Sequence, residues 1–132
     1  MILSELSKLY YIRREVLEYE RRLAVLRTRG ESVSSPRYNG MPKNMSTESV
    51  VEKRAIKIIE AENVLLETLT RYYIERVKLE RWIAAIPDSL TRQVFTARFV
   101  EGLTWAEVAE YIGGGITESG VRMICYRYLD GR

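Results

Sequence analysis

The chain has 132 residues, 46% hydrophobic and 30% charged, with 21 Lys and Arg against 18 Asp and Glu, a profile of one globular domain or of a small domain with an extension. One cysteine and no histidine set aside disulfide scaffolds, the common zinc sites and the usual general base at neutral pH; with no paired carboxylates or phosphate-cradling loop in a recognisable context, the expectation is a non-enzyme without catalytic residues, metal or cofactor. Nothing approaches a run of about 18 apolar residues, and the opening MILSELSKLY is broken by Ser, Glu and Lys, so neither a membrane span nor a signal peptide is expected and a reducing cytoplasm is the natural compartment.

From Ile2 to about Arg29 there is no Gly or Pro, and two heptad columns line up: Ile2, Leu9, Val16, Leu23, and Glu5, Ile12, Tyr19, Leu26. Only Glu5 is polar. The pattern predicts a long amphipathic helix with a coiled-coil seam, about 42 Å at about 1.5 Å per residue. Arg13, Arg14, Glu18, Glu20, Arg21 and Arg22 fall between the seam positions and read as a solvated face. Gly30 should stop this helix, and residues 30–46, with Ser32, Ser34, Ser35, Pro36, Gly40 and Pro42, read as a connector. Tyr38, Met41 and Met45 could pack it onto the helices, or Arg37 and Lys43 could make it a basic arm; a partly ordered tether without a site is the favoured reading.

A second long helix should start between Ser46 and Ser49, with Ser49 and Glu52 available as a capping box, and run to about Ala85. Val51, Ile58, Leu65, Tyr72, Leu79 and Ile86 form a column that is apolar at every heptad. Ile59, Leu66, Tyr73, Leu69 and Ile83 widen the stripe beyond what one partner helix covers, so contacts to the first helix and to a second copy or the C-terminal module are expected. Tyr10, Tyr11, Tyr19, Tyr72 and Tyr73 read as interfacial packing rather than a stacking platform for single-stranded nucleic acid.

Pro87 ends that helix by pushing the residue before it out of the α region. Asp88 can cap a third helix through about Val100, with Leu90, Val94, Ala97 and Val100 inward and Arg92 and Arg98 outward, closed by Gly102. Thr104 and Glu107 have capping-box spacing, and Trp105, Val108, Ala109 and Ile112 form one apolar stripe with Glu107 and Glu110 facing away. Ala109 is the small residue on that stripe, suited to a close helix crossing. Gly113, Gly114 and Gly115 then supply a turn that needs positive φ. Thr117 is the next N-cap, and Val121, Ile124, Cys125 and Tyr128 give a second stripe. Cys125 therefore reads as core rather than nucleophile. Glu118, Ser119, Arg122, Met123 and Tyr126 are left outward, as on the second helix of a helix-turn-helix.

The stretch Ile116 to Leu129 resembles the recognition helix of sigma factor region four in Ile116, Thr117, Val121, Arg122, Arg127 and Leu129; the order Arg98, Phe99, Gly102, Leu103, Thr104, Glu107 and Ala109 extends the likeness over the last forty or so residues. The family's base-contacting positions fall on Glu118, Ser119, Gly120, Arg122 and Met123, of which only Arg122 keeps the residue type of the primary sigma factors. The turn departs by two extra residues, in effect two glycines, so a related docking geometry on a different DNA sequence is implied. The layout of long helix, Ser/Pro-rich connector, second long helix and sigma-like module resembles the ArpU-like and RinA-like late-gene activators of Gram-positive phages and prophages, in architecture more than in motif. That resemblance implies a nucleoid-associated regulator in a bacterial host, acting on double-stranded DNA with RNA polymerase.

Taken together, the sequence predicts an all-α fold: a long helical hairpin or coiled-coil region over residues 1–87 and a three-helix helix-turn-helix module over 88–132. The DNA-binding residues expected are Thr117, Glu118, Ser119, Gly120, Arg122, Met123, Tyr126 and Arg127. Residues 88–132 hold five Arg against six acids, and residues 1–87 hold sixteen Lys and Arg against twelve acids. Because phosphate neutralisation supplies most non-specific affinity, the acidic module needs help from a homodimer or higher oligomer, from the basic helical region, or from polymerase. Two other classes stay open: a terminase-like DNA-packaging subunit, and a coiled-coil adaptor that binds only protein.

Overall fold

The computed structural model describes residues 1–32 and 46–131, and every regular element among them is helical. A short α1 (Leu3–Leu6) leads into α2 (Lys8–Ser32); α3 (Ser46–Ala84) follows; then α4 (Ser89–Phe95) running on into a π turn (Thr96–Val100), α5 (Trp105–Ile112) and α6 (Glu118–Leu129). The connector readings, from Ser34 through Tyr38 to Met45, fall on residues 33–45 and lie outside the described residues.

Local chemistry sets the helix ends. Glu5, the polar exception in the heptad columns, accepts a hydrogen bond from the Ile2 N–H at 2.9 Å and so closes the start of α1. The Ser7 hydroxyl donates to Leu3 O at 3.0 Å where α1 gives way to α2. Gly30 does not stop α2, which continues to Ser32; one helical glycine costs only about 1 kcal/mol against alanine. Helix α3 begins at Ser46, so Ser49 sits inside its first turn instead of capping it. At its other end Pro87 acts as expected, and the Arg92 guanidinium donates to Ile86 O at 2.6 Å and Pro87 O at 3.1 Å. Arg92 thus turns inward to satisfy exposed carbonyls rather than pointing to solvent.

The chain divides into two compact units: Met1–Arg13 with Arg71–Arg132, and Arg14–Thr70. In the second, residues 14–32 and 46–70 pair antiparallel within one chain, Arg27 meeting Glu62 at 2.8 Å. The apolar members of the heptad columns are covered except at the first, Ile2 and Val51. Val16 and Leu23 are buried, and Tyr19, Leu26, Ile58 and Leu65 are half-buried. Val51, at the start of its column, remains exposed, as do the stripe-widening residues Ile59 and Leu66.

The first unit holds one continuous core. Leu6 and Leu9 from the N-terminal segment, Leu79 and Ile83 from α3 and Ile86 just past its end join Val94, Phe95, Phe99, Val108, Val121 and Cys125 in it. The Phe95 ring lies 5.4 Å from Trp82, 5.6 Å from Tyr128 and 5.5 Å from Phe99, an edge-and-tilt arrangement that adds to area burial. The π turn changes the expected register. Glu101 N–H bonds back five residues to Thr96 O, and this wider turn places Ala97, Phe99 and Val100 in the core; in α4 before it the inner face falls on Thr91, Val94 and Phe95, and Leu90 stays 40% exposed. The expectation that Leu90 faces inward is corrected accordingly.

Candidate nucleic-acid interface

Helix α5 starts on the capping box predicted for it. Thr104 N–H donates to Glu107 Oε1 at 3.0 Å, and Glu107 N–H donates to Thr104 Oγ1 at 3.2 Å. The Thr104 N–H first, and the Thr104 hydroxyl after it, hold the Glu107 carboxyl below its ordinary value. Val108 is fully buried and Trp105, Ala109 and Ile112 are half-buried, with Glu107 and Glu110 exposed. Gly113, Gly114 and Gly115 all have φ between 69° and 80°. Gly113, at ψ −157°, occupies a region open essentially to glycine alone.

Thr117 then caps α6, its Oγ1 accepting from Gly120 N–H at 3.0 Å. Val121 and Cys125 are fully buried and Ile124 and Tyr128 half-buried, so the predicted stripe does face the core. Burial pushes the Cys125 thiol up to about 11, which makes it inert packing. Glu118, Ser119 and Met123 are exposed in the first two turns of α6, and Arg122 lies between them, half-buried. Gly120 sits tight against the core side: a Cβ there would come within 3.1 Å of Ile116. Tyr126 is 40% exposed with its ring 6.2 Å from Trp105. Arg127 is exposed nine residues past Glu118, about 13 Å farther along the axis at about 1.5 Å per residue.

The Arg122 guanidinium donates to Glu118 Oε1 at 2.6 Å, both side chains about half exposed. Such an i,i+4 pair is worth only about 0.3–0.5 kcal/mol. Capping by Thr117 leaves the N–H groups of Glu118 and Ser119 without an intrahelical acceptor, pointing where the helix dipole favours an anion.

No family model, curated protein or solved structure matches this chain.

Two arginines support the motif without any periodic signal. Arg98, expected outward, donates to Leu103 O at 2.8 Å and lies 4.7 Å over the Trp105 ring, tying the end of the π turn to the start of α5. Arg13 reaches Glu101 O at 2.7 Å. Its Nη1 lies 3.2 Å from where a Cβ on Gly102 would stand, and Gly102 has φ +73°. Pairing of Arg13 with residue 101 is set by tertiary folding, so local spacing carries no trace of it.

The same unit has an open groove of about 800 Å³ with Ile83, Ala84, Ala97 and Leu103 on its apolar lining and Glu80, Glu101 and Tyr111 among its polar ones. Among the described residues no helix is long and apolar enough to cross a membrane, and no group of three or more His, Cys, Asp or Glu is placed to hold a metal.

Proposed function

We propose that this chain is a sequence-specific, phage-derived transcriptional regulator that reads duplex DNA with the amino-terminal half of α6 and acts with RNA polymerase. The observation that carries this reading is the outward face of α6. Glu118, Ser119, Arg122 and Met123 project from a helix that is capped, set off by a three-glycine turn and fixed by Val121 and Cys125 in the core. A bidentate Arg122 to guanine contact supplies about 1–3 kcal/mol of discrimination, more than the exposed pair with Glu118 opposes. The balance favours release of Arg122 onto a base.

A second copy completes the reading. Ile56, Ile59 and Leu66 of α3 are 55%, 56% and 64% exposed, and an apolar face of this kind suits self-association. Selection of bound sequences from random duplex DNA, with and without polymerase, tests the function. An enriched motif that is lost with Arg122→Ala supports it, and no enrichment in either condition rejects it. Sedimentation of the DNA-bound protein as a dimer supports the paired form, whereas a closed ring of more than two copies favours a packaging subunit.

The acidic balance of residues 88–132 and the apolar groove beside Ile83 and Leu103 favour one other reading, a protein-binding adaptor. A salt titration separates the two: a regulator loses DNA affinity steeply as salt rises, while an adaptor has no phosphate-dependent slope to lose.

A further inference from the structure

We infer that a cationic cluster on the paired long helices, Arg29 with Lys53, Arg54 and Lys57, is a second contact site for nucleic-acid phosphates; the inference rests on the DNA-binding reading above. These four side chains line one concavity of about 270 Å³, with Leu26 and Val50 as its apolar members and no Asp or Glu in its lining. Arg29 comes from α2 and the other three from α3, so folding of the Arg14–Thr70 unit itself assembles the charge.

Helical spacing explains the convergence. Val50, Lys53, Arg54 and Lys57 stand at i, i+3, i+4 and i+7, one face of α3, and the antiparallel partner sets Arg29 opposite them. Ion pairs in this unit join Arg21 and Arg22 to Glu18, and Arg27 to Glu62. None of them uses Lys53, Arg54 or Lys57. Lys53, Arg54 and Lys57 lie on one face within a Debye length of about 8 Å at physiological salt, so an anion beside them is attracted by all three.

A polyanion fits this site better than a single small ion. Lys53 and Lys57 are one turn apart, about 6 Å along the helix axis, and duplex DNA carries a phosphate charge about every 1.7 Å of its own axis. At about 3.4 Å per phosphate on one strand, about two phosphates lie along that span and their neighbours are within reach of the long side chains. The α6 module is net acidic by one charge, and phosphate neutralisation dominates affinity. The cluster supplies the cations that the reading helix lacks.

The test uses the full chain and fluorescence anisotropy on two duplexes, one selected and one of random sequence, across a salt series. Each lost phosphate contact lowers the slope of log K against log salt by about 0.9. Lys53→Gln/Arg54→Gln/Lys57→Gln should flatten that slope by about 2–3 on both duplexes, and Lys57→Gln alone by about 0.9. Helical CD should remain that of the wild type, since Lys53 and Lys57 are exposed. Arg122→Ala should instead reduce the preference for the selected duplex and change the slope by no more than about one unit. A triple variant with the wild-type slope, on DNA that the wild type binds, overturns the cluster assignment and leaves the α6 reading intact. A wild type that binds neither duplex overturns both. Lysine-dependent uptake by phosphatidylserine vesicles without DNA binding would assign the cluster to a membrane surface and likewise overturn the inference.

Discussion

Leu6 lies in the first turn of the chain, yet its side chain is completely buried in the core that also holds Val108 of α5 and Val121 of α6. Leu6→Ala removes three carbons at about 0.8 kcal/mol each, about 2.4 kcal/mol of transfer free energy. The cavity left among rigid aromatic neighbours adds about 24 cal/mol per Å³ of unfilled volume, and the total belongs in the range of about 2.7–5 kcal/mol measured for such truncations. That is a large part of the roughly 5–15 kcal/mol that stabilises a small domain. Both tryptophans, Trp82 and Trp105, pack against the same core, so fluorescence in a urea titration reports on this unit. With a slope of about 1–3 kcal/mol per molar, the fluorescence midpoint should fall by about 1 M or more. Leu3→Ala, a residue 44% exposed in the same short helix, should move it by no more than about 0.5 kcal/mol equivalent. Equal, small shifts for the two variants would refute the placement of the N-terminal segment in this core.

Three further outcomes follow from particular bonds. Glu118→Gln breaks the 2.6 Å pair with Arg122 and removes a carboxylate from the face offered to phosphates; DNA affinity by anisotropy should rise about two- to five-fold, given a pair worth about 0.3–0.5 kcal/mol and the lost repulsion, and a fall would contradict the outward reading of this face. Gly113→Ala should cost about 1–3 kcal/mol in a thermal or urea melt, because φ +72° with ψ −157° penalises any Cβ; an unchanged melt would show that the turn has another conformation. Asp88 accepts from the Thr91 hydroxyl at 2.7 Å and the Thr91 N–H at 3.0 Å, and these bonds, the hydroxyl's first, hold its carboxyl below the ordinary value. A depressed folded-state pKa means that the stabilisation is complete above the unfolded value near 3.9 and is lost as pH falls through the folded one. Wild type should therefore lose melting temperature below about pH 4 more steeply than Asp88→Asn, and parallel curves would remove the charge from the cap.

Most of the fold was legible because its signals are local. The Thr104 and Glu107 box, the stripes of α5 and α6, the glycine turn and the heptad columns all depend on residues within one or two turns of each other. Three features were not. The π turn at Thr96–Val100 adds a residue that no period of 3.6 anticipates, and it buries Phe99 beside Ala97 and Val100. Arg92 and Arg98 look like solvent-facing charges by position, yet each bonds to main-chain carbonyls of the loops between helices, Ile86 and Pro87 for Arg92 and Leu103 for Arg98. Leu6, Leu9 and Arg13 join the α6 unit through contacts nearly ninety residues apart in the chain, as in the Arg13 bond to Glu101, and periodicity carries no information about such distances. On α6, spacing separated outward from inward residues correctly at Glu118, Ser119, Met123, Val121 and Cys125. The pairing of Arg122 with Glu118 was also available from the sequence as an i,i+4 spacing.

The most direct test of α6 as the proposed reading helix is competition between a selected duplex and versions substituted at single base pairs, measured for wild type and Arg122→Ala at fixed salt. The account predicts that Arg122→Ala keeps its helical CD and loses about 1–3 kcal/mol of discrimination at one guanine, roughly ten-fold for each 1.4 kcal/mol. Unchanged discrimination at every position, in a variant that still binds DNA, would contradict the placement of α6 in the major groove.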